Sequence, residues 1–394
     1  MNGSIYLDNS ATTALSVAAK EKMVETFEVF GNPSSLHAAG DEAARIMREA
    51  RRGILTTLGI RSMSERDDEQ LVFTSSGTEA TALALLGCAH AKKRREANVI
   101  ITTDSEHPSV ENALRSLEDE GFVVKRLSTR GGVIDMEELD EYLKSPVFMA
   151  TLMLVNNETG AVYDVKSVFD KVKRAYPDAI THCDAVQGYL KMRVTPQSLG
   201  ADLVTVSAHK IHGPKGVGAL YIAPHILKER KISPFIVGGG QEHGMRSGTE
   251  NVIGIAGFSA AALEGFSGMA KNMPNVEKLR DLCQALIVAA DIGVRPNVPK
   301  GKRAPHVLNV TLPNIKSQTM LNFLSRKGIY VSSGSACSSH SSKPSSSLIA
   351  FGLSPEEADT SLRISFSEYN TEDDVTALVT ALKEGVATLV KIKR

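Results

Sequence analysis

Two nucleophilic side chains in this sequence stand where chemistry could use them, Lys210 and Cys337. Lys210 ends Ser207-Ala208-His209-Lys210, after a β-rich run and just before the glycine-rich stretch 213–218. A lysine leaving a buried parallel strand faces the crevice at the carboxyl edge of the sheet, where open α/β folds bind ligands. Desolvation there disfavours the ammonium and leaves an amine that can act as a base or bond a carbonyl carbon. Alone, Lys210 reads more simply as a solvated loop lysine. Cys337 lies among Ser, Gly and Ala, whereas Cys88 and Cys283 fall inside helical patterns, where a structural thiol packs. A thiol on the serine-rich stretch 332–347, by composition a flexible loop, is available for reaction.

Other polar groups recur at strand ends. Asp184 closes the run 180–184, where a buried carboxylate could pair with a pyridinium nitrogen, the usual handle on pyridoxal phosphate. Its competing reading is the cap of the next segment. Gln187, three residues on, could reach a ring hydroxyl. Period-two geometry puts His182 on the face of Asp184 and Cys183 on the other, so Cys183 is expected in the core. A His182/Asp184 metal site lacks further ligands, and no metal is expected. Ser75-Ser76-Gly77-Thr78-Glu79 follows the run 71–74 and opens an Ala/Leu-rich helix. Small residues at a helix N-terminus suit a phosphate, although Thr78 could simply cap the helix. The P-loop lysine is missing, which argues against nucleotide hydrolysis. His107, in Asp104-Ser105-Glu106-His107-Pro108, could stack on a flat ring and carry protons. Asn156-Asn157-Glu158-Thr159-Gly160 is a further polar cluster at a strand exit. Each is modest alone; together they describe one site.

The elements that would position these groups are legible as alternating patterns. β-rich runs at 71–74, 99–102, 122–127, 147–155, 180–184, 203–207 and 217–222 alternate with helical patterns at 78–94, 109–120, 136–144 and 164–175. Near-continuous apolar runs suit strands covered on both faces, so a mainly parallel sheet with helices on either side is expected. Beyond Asn251 a helix over 252–266 leads to a smaller α+β unit. Its strands are expected at 306–312, 329–332 and 361–366, and its helices at 317–327 and 371–392, the last capped from Thr371. At 394 residues the chain fits two domains. Lys+Arg and Asp+Glu both number 45, so no net field would draw nucleic acid or an anionic membrane. The basic run Lys92-Lys93-Arg94-Arg95 reads as a solvated helix end. The four scattered cysteines form neither a disulfide framework nor a zinc pattern. Neither a signal peptide nor an uncharged apolar run of membrane-spanning length is seen, and a cytoplasmic protein is expected.

Ordered motifs along nearly the whole chain resemble group I cysteine desulfurases, of the class V aminotransferase family of pyridoxal-phosphate (PLP) enzymes. They begin with Tyr6-Leu7-Asp8-Asn9-Ser10-Ala11-Thr12-Thr13 and Gly31-Asn32-Pro33-Ser34-Ser35-Leu36-His37. They continue through Val155-Asn156-Asn157-Glu158-Thr159-Gly160, His182-Cys183-Asp184-Ala185-Val186-Gln187 and Ser207-Ala208-His209-Lys210. Gly238-Gly239-Gly240-Gln241-Glu242, Met245-Arg246-Ser247-Gly248-Thr249 and Ser332-Ser333-Gly334-Ser335-Ala336-Cys337 complete the set. The resemblance implies PLP fold type I: a large domain, residues 14–256, with a mainly parallel seven-stranded sheet, and a small α+β domain, residues 1–13 and 257–394.

The resemblance also implies roles. Lys210 would bond PLP, Asp184 would meet its ring nitrogen and Gln187 its ring oxygen. Gly77, Thr78, Ser207 and His209 would hold the phosphate, and His107 would stack on the ring. Thr249 would reach the phosphate of the neighbouring subunit in a homodimer. Arg363 would clamp the carboxylate of L-cysteine, with Asn32 beside the substrate and Asn157 beside both cofactor and substrate. Cys337 would take the sulfur as a persulfide, leaving L-alanine, and pass it to an acceptor protein for iron–sulfur cluster assembly or tRNA or cofactor thiolation.

Departures from the family pattern are Ala80-Thr81-Ala82 after the phosphate loop, Ser367-Glu368 after Arg363, and His340 and Lys343 beside Cys337. The chain stops soon after its last helix, without the scaffold-docking tail of some members. Selenocysteine lyase, a plain aminotransferase and a non-catalytic relative are the competing readings. The loop cysteine and intact Lys210, Asp184 and His107 argue against the last two.

Overall fold

The computed structural model describes residues 4–91, 97–333 and 344–390. Cys337 and the basic run 92–95 lie outside the described residues.

The chain opens with β1 (Ile5–Tyr6) and then builds β2 (Leu71–Thr74), β3 (Val99–Thr103), β4 (Val123–Leu127), β5 (Val147–Met153), β6 (Ile180–Asp184), β7 (Leu203–Ser207) and β8 (Gly218–Ile222). The last seven form one sheet in the order β2-β8-β7-β6-β5-β3-β4. Within it β8 runs antiparallel to both neighbours, and the remaining pairs are parallel. The expected mainly parallel seven-stranded α/β sheet is therefore present. Strands β2, β3, β6, β7 and β8 are buried at every position, and β2, β3, β7 and β8 read as largely apolar runs for that reason, whereas β6 buries Thr181, His182 and Asp184. Some polar side chains at buried strand positions pair across the sheet. His182, for example, is held at Nδ1 by Thr151 (2.8 Å) and at Nε2 by Thr205 (3.0 Å).

A second set of strands is β9 (Arg295–Pro296), β10 (Val307–Thr311), β11 (Ile329–Tyr330), β12 (Ser332–Ser333) and β13 (Ser361–Ser365). Four of them make an antiparallel sheet, β12-β13-β10-β9, while β1 pairs in parallel with β11. The core splits accordingly. One cluster runs from Ala19 to Ala262 around the large sheet and also takes in Ala304. The other joins Leu7 to Val276, Cys283, Leu308, Leu362 and Leu382.

The helix Val252–Ala289 links the two clusters and is far longer than the expected 252–266. It carries Pro274 in its interior, normally a helix breaker. Burial of Ile255, Phe258 and Ala262 in the first cluster, and of Val276, Cys283 and Ile287 in the second, holds its two halves. By length and composition it could cross a membrane, but half of its most apolar window is buried inside this protein.

Candidate active site

The site lies at the carboxyl edge of the large sheet, where the exits of β2, β3, β5, β6 and β7 converge. It is a cavity of about 270 Å³ lined by Gly77, Thr78, His107, Asn157, Asp184, Gln187, Ser207, His209, Lys210 and Arg363. These residues come from segments far apart in sequence. The parallel register gathers those of the large sheet, since every parallel strand presents its C-terminal end on the same edge, while Arg363 comes from a strand of the second sheet.

Lys210 ends a short helical turn, Ala208–Lys210, immediately after β7. Its Nζ donates to the carbonyls of Ser10 (2.6 Å) and Ala11 (2.7 Å). Asp184 terminates β6 and accepts the N–H of Val186 at 2.9 Å. Burial pushes its carboxyl up to about 6; the Val186 N–H and the Lys210 charge oppose that push. The group is therefore still an anion at neutral pH, and it lines the same cavity as the lysine. Gln187 is anchored at both ends of its amide, Nε2 donating to the Ser10 carbonyl (2.9 Å) and Oε1 facing His306 Nε2 (3.3 Å).

His107 caps the helix Pro108–Asp119, its Nδ1 accepting the Ser109 N–H at 3.2 Å. That bond occupies the Nδ1 lone pair, so the neutral ring carries its proton on Nε2. Burial, then the charges of Lys210 and Arg363, push the imidazole down to about 4. His209 is also pushed down to about 4, by burial and by Lys210 and Lys215, and its Nδ1 faces Thr12 Oγ1 at 3.1 Å.

At the other end of the cavity lies the N-terminus of the helix Gly77–Ala91. Ser76, not Thr78, caps it: Ser76 Oγ accepts the Glu79 N–H at 3.2 Å. Thr78 is thereby left to line the cavity. A Cβ on Gly77 would stand 3.1 Å from Val186 Cγ2 and 3.4 Å from Ser207 Cβ, so a larger residue would crowd this corner. Ser207 Oγ is buried without a hydrogen-bond partner among the described residues. Such a buried orphan costs about 1–3 kcal/mol unless a ligand satisfies it.

Arg363 sits mid-strand on β13 and is 1% exposed. Its Nη2 donates to Asp8 (2.9 Å), and its Nη1 to Glu158 (3.3 Å) and to the Asn157 carbonyl (3.1 Å). These acidic partners make a buried guanidinium tolerable. Asp8 and Glu158 fall within quoted motifs but were given no role; nothing in a linear pattern pairs them with a residue hundreds of positions away. Glu106 was likewise missed. It is 5% exposed, accepts Thr103 Oγ1 (2.7 Å) and the Met153 N–H (3.0 Å), and burial pushes it up to about 8.

Two expected site residues are elsewhere. Asn32 is exposed, its Oδ1 accepting the Ser34 N–H at 2.9 Å. Thr249 is exposed on a segment that Glu242 ties down through a buried pair with Arg51 (2.7 Å).

The aminotransferase class-V family profile matches residues 5–378. The chain belongs to this family. A cysteine desulfurase from Trichormus azollae is 36% identical over 387 residues, covering 98% of this chain and 93% of that protein. Among solved structures, a NifS-like protein superposes with a TM-score of 0.89 at 34% identity, covering 98% of this chain and 100% of its own. SspA in complex with cysteine gives a TM-score of 0.77 at 28% identity, over 93% of this chain and 100% of that one. The two solved structures share the fold of this chain over nearly its whole length.

Proposed function

We propose that this protein is a PLP-dependent cysteine desulfurase that takes sulfur from L-cysteine, releases L-alanine and holds the sulfur as a persulfide on Cys337. The observation that carries the reading is the convergence of an amine, a buried carboxylate, a capped imidazole, an orphaned hydroxyl and a guanidinium on one cavity. The relatives named cysteine desulfurase support it.

The residues present fit PLP. Gly77, Thr78, Ser207 and His209 surround a helix N-terminus with one hydroxyl unspent, as a phosphate requires. Asp184 would face the ring nitrogen, Gln187 the ring oxygen and His107 the ring plane, with Lys210 as the point of covalent attachment. When bound, the cofactor supplies an electron sink for the pair left as the substrate's Cα proton departs.

The chain's own groups do the rest. Arg363 holds the substrate carboxylate and, with Asn157, fixes Cα toward Lys210, whose amine takes the proton. His107, neutral and carrying its proton on Nε2, moves a proton at the substrate sulfur. The Cys337 thiolate forms the new S–S bond as the substrate C–S bond breaks; the C–S pair stays with Cβ, which takes a proton, and return of a proton to Cα leaves L-alanine. The sulfur is carried as the persulfide to an acceptor protein serving cluster assembly or thiolation. We assign Thr249 to the phosphate of a second subunit in a homodimer, and Asn32 to the substrate side of the site. We also keep the division into residues 14–256 and residues 1–13 with 257–394, which the two separate cores support.

The test is the intact mass of PLP-loaded protein after brief exposure to L-cysteine. A one-sulfur increase, removed by thiol reductant and absent from Cys337→Ala, is expected. An unchanged wild-type mass under turnover would overturn the assignment of Cys337.

A further inference from the structure

A second cavity, of about 190 Å³, stands behind the Lys210 loop. Lys191 lines it and is 7% exposed, yet its ammonium has no hydrogen bond or ion pair with any described residue. Two carboxylates, Glu264 and Glu368, also line the cavity. Glu368 Oε2 lies 3.3 Å from His212 Nε2 without a hydrogen bond formed between them, and His212 Nδ1 faces the Ala14 carbonyl at 2.9 Å. Burial tends to raise Glu368, but His212 and Lys191 outweigh it and hold the carboxyl down to about 2. Lys191 feels this negative charge only at a distance, and burial pulls its own affinity for a proton down. A buried ammonium without a contacting acceptor is an unfavourable arrangement that a bound anion relieves. Buried Leu190, Ile211 and Ala261 form an apolar part of the same wall, suited to a short alkyl tail.

We propose that this cavity is a second ligand site, which takes a short-chain carboxylate with its head on the Lys191 ammonium and its tail on the apolar wall. At about 190 Å³ the cavity is smaller than the catalytic one of about 270 Å³. The wall is coupled to the catalytic loop. His212 is two residues from Lys210, its N–H donates to Thr13 Oγ1 at 2.7 Å, and its carbonyl accepts the Ser16 N–H at 2.9 Å. The segment it grips leads back to Ser10 and Ala11, whose carbonyls hold Lys210. Occupancy therefore reaches the lysine through one short stretch of backbone. The site itself does not depend on the desulfurase reading.

The experiment uses PLP-loaded full-length protein with labelled histidine rings, titrated with sodium propionate at constant ionic strength and followed by NMR. The His212 ring signal is expected to move and saturate, and Lys191→Met to weaken that response by about tenfold or more, the usual worth of a charge-assisted hydrogen bond. Lys191→Arg, which keeps the charge, is expected to retain it. A His212 signal that does not respond in folded wild type overturns the site. So does an equal response in wild type and folded Lys191→Met, or an equal response to chloride. The same titration with L-alanine tells an amino acid from an unsubstituted acid, and a saturable His212 response to either supports the site. Sulfide release, measured separately, tests the catalytic reading alone.

Discussion

Replacing Arg363 by lysine isolates what the guanidinium does. Arg363 donates through two nitrogens to three acceptors, and it is nearly inaccessible from solvent. Lysine keeps a positive charge opposite Asp8 and Glu158, so neither carboxylate is left uncompensated, and the fold is expected to survive with a small change in Tm. The fork geometry that grips a carboxylate with two parallel N–H bonds is lost. One charge-assisted hydrogen bond contributes about 1.5–3 kcal/mol, which corresponds to roughly 10- to 150-fold in affinity. Because the substrate carboxylate is held before and during the reaction, the loss is expected mainly in KM, with kcat changed far less. Steady-state alanine release against L-cysteine concentration, with a thermal melt of each protein, measures both. A KM within about twofold of wild type in a folded Arg363→Lys protein would refute the assignment of Arg363 to the carboxylate.

Three further outcomes follow from the buried charges. Glu106 is raised to about 8 in the folded protein, so its contribution to stability is fully present below the ordinary carboxylate range and is lost as pH rises through about 8. Urea midpoints at pH 6 and pH 9 are expected to differ less for Glu106→Gln than for wild type, and an identical difference would contradict the burial argument. His107 is held down to about 4, so it is neutral at pH 7. Its limb in the pH–rate profile is expected near pH 4, and His107→Gln is expected to lower kcat by about 10²–10⁴; a limb near 6.5 that vanishes in the variant would contradict this. Glu242 carries the buried pair with Arg51 and also accepts the Phe73 N–H at 2.7 Å. Glu242→Ala is expected to cost roughly 3–5 kcal/mol in urea unfolding, and a cost below about 1 kcal/mol would show the pair to be replaceable by water.

What the sequence made legible was periodic or terminal. The bounds of β2 and β7 coincide with largely apolar runs because both faces of those strands are covered, so pattern and burial agree, and β6 ends where expected at Asp184. Lys210, Asp184, Asn157 and His107 were visible because the fold puts chemistry at strand exits, and exits can be counted along a chain. The helix Val252–Ala289 was cut short at Phe266 because Gly268 and Pro274 weaken the local helical signal. The buried contacts that override it belong to two different cores. The partnership of Arg363 with Asp8 and Glu158 was invisible for a related reason: it is created by β13 meeting segments from elsewhere in the chain. The plainer reading of Thr78 as a helix cap fails because Ser76 caps the helix, a difference of two residues that propensity alone does not resolve.

The central claim is tested most directly by mixing PLP-loaded protein with L-cysteine and a thiol reductant, then quantifying sulfide and alanine together. The account predicts equal amounts of the two from wild type, and neither from Lys210→Ala. Cys337→Ala is predicted to release no sulfide. No sulfide from wild type whose lysine-bound cofactor absorbance is intact would contradict it, and would turn the same cavity toward amino-group transfer.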